Sequence, residues 1–194
     1  LQRKVAVKVL IPSARRGQVE FQDVTFQYPG AEEPALTGVS FTAHPGEVTA
    51  IVGGTGSGKS TLVGLIPRFY DVNGGAIRLD GVYIRQLQRG PLRRLFGMVL
   101  QDTWLFSGTI RENIAYGREN ATEEAIVRAA RAAQADHFIR TLPANYDEVI
   151  NEEATNLSQG QKQLLTIARA FLADPAILIL DEATSSVDTR TEAR

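Results

Sequence analysis

The chain has 194 residues, 43% hydrophobic and 22% charged, a composition typical of a folded globular domain and unlike that of a disordered chain. Its 21 basic and 22 acidic residues give a net charge of −1, which argues against nucleic acid as a partner. Because the sequence has no cysteine, disulfides, a zinc-thiolate site and a cysteine nucleophile are excluded.

The N-terminal segment, residues 1–17, is basic and contains Pro12, and it is predicted to be a linker. Lys8 interrupts its apolar stretch, so it lacks the continuous apolar segment of a secretory signal. No apolar run in the sequence approaches the roughly 18–20 residues that cross a bilayer. Because the chain begins with leucine, we expect it to be part of a longer protein.

Short strands dominate the first half of the sequence. Alternation of apolar and polar side chains, as in Val19 to Phe26, predicts half-buried strands. Asn73-Gly74-Gly75 has the composition of a hairpin turn. A helical pattern follows the glycine-rich run at 53–58. Strands are expected over residues 19–26, 39–41, 47–52, 76–79 and 96–100.

The second half is predicted to be mostly helical. Thr122 can cap a helix whose first turn carries Glu123 and Glu124, within an insertion over about 103–157. An amphipathic helix is expected over 158–172. Ala176 to Leu180 is a continuous apolar run, typical of a strand covered on both faces. Strands that alternate with helices predict an α/β fold.

A phosphate-binding motif occupies residues 53–60, Gly53-Gly54-Thr55-Gly56-Ser57-Gly58-Lys59-Ser60. It fits G-x-x-x-x-G-K-[ST] at every fixed position, between a predicted strand and a predicted helix. Its glycines let backbone N–H groups turn toward phosphate oxygens. Lys59 is expected to meet the β/γ-phosphates, and Ser60 to offer a hydroxyl to Mg²⁺.

Two adjacent carboxylates follow the apolar run at the predicted carboxyl edge of the sheet, where open α/β sheets bind ligands. We assign Asp181 to the Mg²⁺ shell and Glu182 to polarisation of the attacking water. The alternative is an acidic pair that only begins the next loop. The motif upstream favours the catalytic assignment.

Leu157-Ser158-Gln159-Gly160-Gln161 resembles the signature sequence of ATP-binding cassette (ABC) proteins. Within that resemblance, Tyr28 is similar to the aromatic residue that stacks on adenine. Gln101 is similar to the glutamine that reaches the metal and the attacking water, and residues 185–188 to the loop that crosses to a second subunit. The nucleotide contacts that the resemblance implies are Tyr28, residues 53–60, Thr61 and Ser158, Gln159, Gly160 and Gln161.

Residues 108–114 and 101–106 are similar to segments of ABC exporters, whose ATP-binding domain follows a membrane domain. The resemblance implies a P-loop NTPase core with a mixed or parallel sheet, an N-terminal antiparallel β subdomain and an inserted helical subdomain. The nucleotide-binding domain would span 18–194, preceded by the 1–17 linker from a transmembrane domain. It would work with ATP and Mg²⁺ on the cytoplasmic face of the membrane.

The partners that the resemblance implies are that transmembrane domain and a second nucleotide-binding domain packed head to tail. Each ATP would touch the P-loop of one chain and the signature of the other. The family has glycine where this chain has Gln159, so a heterodimer with one altered site and a homodimer are both open.

Alternative interpretations remain at several positions. Ser158 and Gln161 also fit a capping box, which stabilises a helix without a ligand. Arg85, Arg89, Arg93 and Arg94 are interpreted as a solvated face.

Neither His44 nor His137 takes the place of the family's switch histidine, so a domain incomplete at its C-terminus with little ATPase activity is expected. A soluble ABC ATPase without a membrane partner, or a fragment that binds nucleotide without hydrolysing it, are the alternative functions.

Overall fold

The structure is a computed structural model that describes residues 5–11, 17–100, 103–151 and 154–181. The chain divides into two compact units. The first combines the described residues up to Met98 with 176–181, and the second extends from Val99 to Pro175. Among the described residues, no helix has the length and apolarity needed to cross a membrane.

The first unit contains a four-stranded sheet that presents the phosphate-binding motif. Its strands are β1 (Val5–Leu10), β4 (Val48–Gly53), β7 (Phe96–Val99) and β10 (Ile177–Asp181), in the order β4-β1-β10-β7. β1 runs antiparallel to both β4 and β10. Therefore β4 and β10 are parallel to each other, and their carboxyl ends lie at one edge of the sheet.

A second, antiparallel sheet completes the first unit. It consists of β2 (Val19–Phe26), β3 (Leu36–Ala43), β5 (Gly74–Leu79) and β6 (Val82–Tyr83), in the order β3-β2-β5-β6. This sheet confirms the predicted antiparallel subdomain. Helices α1 (Lys59–Leu65) and α2 (Arg89–Arg93) and a 3-10 turn over Ile84–Gln86 join the strands.

One buried core serves both sheets and α1. Val9 and Ile179 reach it from the first sheet, Phe21 from the second and Leu62 and Leu65 from α1. The alternating burial of β2 agrees with the predicted half-buried strand. The phosphate-binding motif thus begins at the end of a sheet strand and continues into a helix whose apolar face is fixed by the core.

The second unit is mainly helical, as predicted for the insertion. It contains α3 (Ile110–Ala115), α4 (Glu123–Ala132), α5 (Asp136–Ile139), a 3-10 turn (Asn145–Asp147) and α6 (Gln159–Ala173). A two-stranded ladder of β8 (Gly108–Thr109) and β9 (Val149–Ile150) accompanies the helices. These elements share a separate core, with Ile114, Ala130, Ile139 and Leu165 among its buried residues.

Two sequence predictions differ from the structure. Residues 5–10, predicted as linker, form β1, because Val7, Val9 and Ile11 alternate along the chain and are buried; residues 1–4 and 12–16 lie outside the described residues. Gly74 and Gly75 are the first residues of β5 and not a hairpin turn. The register of β2 and β5 shifts here, and a side chain at Gly75 (φ +72°) would collide with the backbone of Gln22 and Asp23.

Candidate nucleotide-binding site

The phosphate-binding loop turns sharply between β4 and α1. Gly56 and Gly58 adopt φ values of +79° and +84°, a left-handed conformation that glycine takes without steric cost. A Cβ at Gly58 would lie 2.7 Å from the Ala35 carbonyl oxygen and from a methyl carbon of Leu36. The glycine at 58 is therefore required both by the turn and by the close approach of the chain entering β3.

Lys59 is the first residue of α1, and its side chain folds back over the loop. Its Nζ donates hydrogen bonds to the carbonyl oxygens of Gly54 (2.8 Å) and Gly53 (3.1 Å). An ammonium group held here places a positive charge at the mouth of the loop, next to its turned backbone. This arrangement suits a phosphate oxygen, for which charged hydrogen bonds are about twice as strong as neutral ones.

Ser60 and Asp181 meet although they are 121 residues apart in the sequence. The Ser60 hydroxyl donates to Oδ2 of Asp181 at 3.5 Å, because parallel β4 and β10 end at the same edge. A hydroxyl and a carboxylate are the hard oxygen donors that Mg²⁺ prefers, and Mg²⁺ usually takes only one or two protein ligands beside phosphates and water. The residues present therefore fit a magnesium–nucleotide complex.

Tyr28 lies beside α1. Its hydroxyl shares a hydrogen bond of 3.0 Å with the hydroxyl of Thr61, and its ring packs edge-on against Phe26 and Tyr70, at centroid distances of 4.9 and 5.3 Å. The structure thus brings Tyr28 and Thr61 together with Lys59 and Ser60 in the first unit. The partners of Tyr28 fix the orientation of its half-buried ring.

The signature residues begin α6 in the second unit. The Ser158 hydroxyl accepts from the Gln161 backbone N–H (3.2 Å), and the Gln161 side chain accepts from the Ser158 N–H (2.9 Å). The capping box predicted from the sequence is therefore present. Gly160 lies in the first turn, and the Gln159 amide donates to the Thr103 hydroxyl at 3.2 Å.

Several predicted residues lie outside the described residues. They are the two residues assigned to catalysis, Gln101 and Glu182, and the predicted subunit-crossing loop at 185–188. Within the described ranges, no group of three or more histidine, aspartate or glutamate side chains could hold a metal by itself. A cation at this site would depend on phosphate oxygens as well as on Ser60 and Asp181.

The arginine cluster is organised around a carboxylate. Asp71 accepts from Arg68 Nε at 2.6 Å, and Arg85 and Arg89 approach it at 3.9 and 3.3 Å. The hydrogen bond from Arg68 holds the pKa of Asp71 below its usual value. Arg93 donates to the Pro67 carbonyl. Sequence reasoning missed Asp71 and Arg68. Their pairing links the arginine-rich surface to the chain that follows α1.

A sequence profile described as ABC transporter matches residues 36–185, which is more than half of the chain. The chain belongs to the ABC transporter family. The matched residues include the loop at 53–60, the strand that ends at Asp181 and the capped helix α6. The predicted P-loop core, antiparallel β subdomain and helical subdomain are confirmed by the match and by a solved structure of the same fold.

The relatives of this ABC domain include exporters. Over 177 residues it is 58% identical to a fatty acid ABC transporter ATP-binding/permease protein of Mycobacterium bovis, covering 91% of the chain and 28% of that protein. It is 54% identical to a putative multidrug export ATP-binding/permease protein, YgaD, of Bacillus subtilis, covering 91% of the chain and 30% of that protein. The chain thus spans less than a third of the length of these relatives.

A solved structure supports the same assignment. The structure of a bacterial Atm1-family ABC exporter with ATP bound superposes with a TM-score of 0.82 at 38% identity, over 95% of this chain and 32% of that one. Our chain is thus homologous to the nucleotide-binding domain of ABC exporters.

Proposed function

We propose that this ABC domain binds Mg-ATP at residues 53–61 and hydrolyses it to drive export across a membrane. The observation that carries the proposal is the meeting of Ser60 with Asp181 at the edge where the P-loop lies. It brings a metal-binding oxygen pair next to a lysine-bearing phosphate loop, the combination that phosphoryl transfer requires.

Each residue then has a specific role. Lys59 neutralises the β/γ-phosphates, and Ser60, Asp181 and Gln101 hold Mg²⁺. When bound, Mg²⁺ would supply positive charge beside the phosphate oxygens. Glu182 orients the attacking water and, with Gln101, completes the catalytic pair. Tyr28 stacks on the base, and Thr61 fixes the tyrosine hydroxyl.

The functional assembly contains two such domains packed head to tail. Ser158, Gln159, Gly160 and Gln161 of one domain face the nucleotide held by the P-loop of the other. The identities to ATP-binding/permease proteins support a transmembrane domain as the second partner, which puts the ABC domain on the cytoplasmic face of the membrane.

The test removes the lysine charge. Lys59→Ala should weaken Mg-ATP binding about 10- to 100-fold, since a hydrogen bond to a charged group contributes about 1.5–3 kcal/mol. Isothermal titration calorimetry measures the dissociation constant. Arg94→Ala, which removes an exposed arginine outside residues 53–61, is the matched control and should leave the dissociation constant unchanged. Equal affinity of Lys59→Ala and wild type would refute nucleotide binding at this loop.

A further inference from the structure

Segment 103–106, which begins two residues after Gln101, is held against α6 by one side chain from the first turn of that helix and one from its C-terminal half. The holding residues are Gln159 in the first turn of α6 and Arg169 ten residues later. At 1.5 Å rise per residue these positions are about 15 Å apart along the helix axis. They nevertheless contact consecutive residues, Thr103 and Trp104.

Asn113 of α3 forms the buried end of this arrangement. It is fully buried, and its side chain makes four hydrogen bonds. The amide donates to the carbonyls of Phe106 (2.9 Å) and Thr109 (3.1 Å), while Oδ1 accepts from the Phe106 N–H (3.1 Å) and Arg169 (3.0 Å). A buried amide with every donor and acceptor paired fixes its neighbours, since an unpaired one would be costly.

Arg169 joins Asn113 to the segment. Its Nε donates to the Asn113 carbonyl at 2.8 Å, and its Nη1 to the Trp104 carbonyl at 3.1 Å. The guanidinium lies 5.8 Å from the Trp104 ring centre and 5.3 Å from that of Tyr116. Its burial lowers the pKa of Arg169, and none of its hydrogen-bond acceptors among the described residues is a carboxylate.

Gln159 makes the second attachment, at the signature end of α6. Its amide donates to the Thr103 hydroxyl at 3.2 Å. Glycine, the residue that the resemblance implies at this position, has no side chain with which to make this bond. The link between the first turn of α6 and segment 103–106 therefore depends on the residue by which this chain differs from the family pattern.

We propose that Gln159 and Arg169 are positioning residues that tie the chain following Gln101 to α6. We name their contacts with segment 103–106 the clasp. Through the clasp, a displacement of the signature end of α6 is passed to segment 103–106, which begins two residues after Gln101 in the sequence. The functional consequence rests on the proposed role of Gln101 at the magnesium–nucleotide complex, whereas the clasp itself rests on the contacts alone.

Trp104 provides a direct readout, because it is the single tryptophan of the chain. Mg-ATP added to the 194-residue chain should change its fluorescence emission. Thr103→Val keeps the side-chain size but removes the acceptor for Gln159. It should bind Mg-ATP with unchanged affinity while the emission change falls by about half or more, because one of the two attachments is lost. A substitution that only lowered stability would not reduce the emission change while leaving the Mg-ATP affinity unchanged.

Two further variants complete the test. Arg169→Lys keeps the positive charge but lacks the planar fork that reaches Asn113 and Trp104 together, so it should also reduce the emission change. Thr42→Val, the same substitution on β3, should leave both affinity and emission change at wild-type values. If Arg169→Lys does not fold, the Thr103 variant alone decides the outcome.

The clasp can also be tested without nucleotide. The Phe106 N–H is bonded to Asn113, so its hydrogen exchange reports on the segment. Gln159→Leu and Thr103→Val should each accelerate that exchange about fivefold, the equivalent of roughly 1 kcal/mol, and the double variant no further. Such non-additivity identifies a direct interaction.

Each outcome decides one proposal. Additive effects on exchange, or an emission change that persists in Thr103→Val, would overturn the clasp. A wild-type chain that binds Mg-ATP with no change in Trp104 emission would overturn the coupling of segment 103–106 to nucleotide binding. A wild-type chain that fails to bind Mg-ATP would count against the proposed function, and the exchange measurement would then judge the clasp alone.

Discussion

The carboxylate of Asp71 organises a cluster of arginines that the sequence alone shows only as a basic surface. Its side chain accepts from Arg68, which also donates Nη1 to the carbonyls of Ile84, Arg85 and Leu87. Arg68 is mostly buried, with 15% of its side chain exposed, so its pairing with Asp71 is shielded from solvent more than an exposed ion pair. The pair therefore fixes the chain after α1 onto the 3-10 turn.

We predict that Asp71→Asn lowers the free energy of unfolding at pH 7 by about 1–2 kcal/mol. The pKa of Asp71 is lowered in the folded state by the hydrogen bond from Arg68. Its stabilisation is therefore complete above the unfolded-state pKa of about 3.9 and is lost as the pH falls through the folded-state value. Urea unfolding at pH 7 and at pH 3 should show the difference between variant and wild type shrinking at the lower pH.

Asp147→Asn is the matched control for this prediction. Asp147 pairs with Arg111 at 2.9 Å, but 69% of its side chain is exposed, and exposed pairs contribute at most about 1 kcal/mol. Equal losses of unfolding free energy for the two substitutions at pH 7 would show that the Arg68–Asp71 pair stabilises the chain no more than an exposed ion pair.

Gly58 is the P-loop residue with the strongest steric requirement. Gly58→Ala combines a positive φ with a Cβ 2.7 Å from the Ala35 carbonyl oxygen, and we expect it to destabilise the chain by about 2–3 kcal/mol. Gly54→Ala is the control, because a Cβ there meets nothing within 4 Å, and it should change stability by less than about 0.5 kcal/mol. Thermal unfolding of both variants without nucleotide measures this, and similar midpoints would contradict a loop fixed by packing against β3.

At the scale of elements, α6 begins with a complete capping box and so does α3. Thr109 and Glu112 at the start of α3 form the same two reciprocal side chain–backbone hydrogen bonds as Ser158 and Gln161. We predict that Ser158→Ala lowers the unfolding free energy by about 1 kcal/mol, which shifts the melting temperature by about 2–4 °C in a chain of this size. Thr109→Ala should act similarly, whereas Ser107→Ala, on an exposed residue, should have no effect. An unchanged melting temperature for Ser158→Ala would show that the Ser158 cap does not stabilise α6.

Local patterns in the sequence predicted the elements that depend on neighbouring residues. The glycine spacing of the P-loop and the Ser158–Gln161 box act within a few positions, and both are found as predicted. Features set by distant residues escaped prediction. Gly75 lies in β5, where the backbone of Gln22 and Asp23 leaves no room for a side chain, and no sequence pattern near Gly75 indicates this contact.

The same limit applies to the candidate site. The assignment of Ser60 and Asp181 to one magnesium site used the rule that ligands bind at the carboxyl ends of parallel strands. The contacts of Arg169 with Asn113, 56 positions earlier in the chain, follow no local rule, and the spacing of α3 and α6 residues gave no signal for them. Arg169 looks in the sequence like an ordinary polar position of an amphipathic helix.

At the scale of the whole molecule, each of the two units has a hydrophobic core of its own. Leu65 of α1 and Leu165 of α6 are both fully buried, the first in the core of the first unit and the second in that of the second. These two leucines are therefore a matched pair of sites at which the same cavity can be introduced.

We predict that Leu65→Ala and Leu165→Ala each destabilise their own unit by about 2–5 kcal/mol, the usual cost of a leucine-to-alanine cavity. Because a cavity removes contacts from one core only, native-state hydrogen exchange should accelerate chiefly in β2, β4 and β10 for the first variant and in α3, α4 and α6 for the second. The exchange pattern, resolved by NMR or by mass spectrometry of peptides, measures this directly. Equal acceleration throughout the chain in both variants would instead show that the two cores unfold as a single cooperative unit.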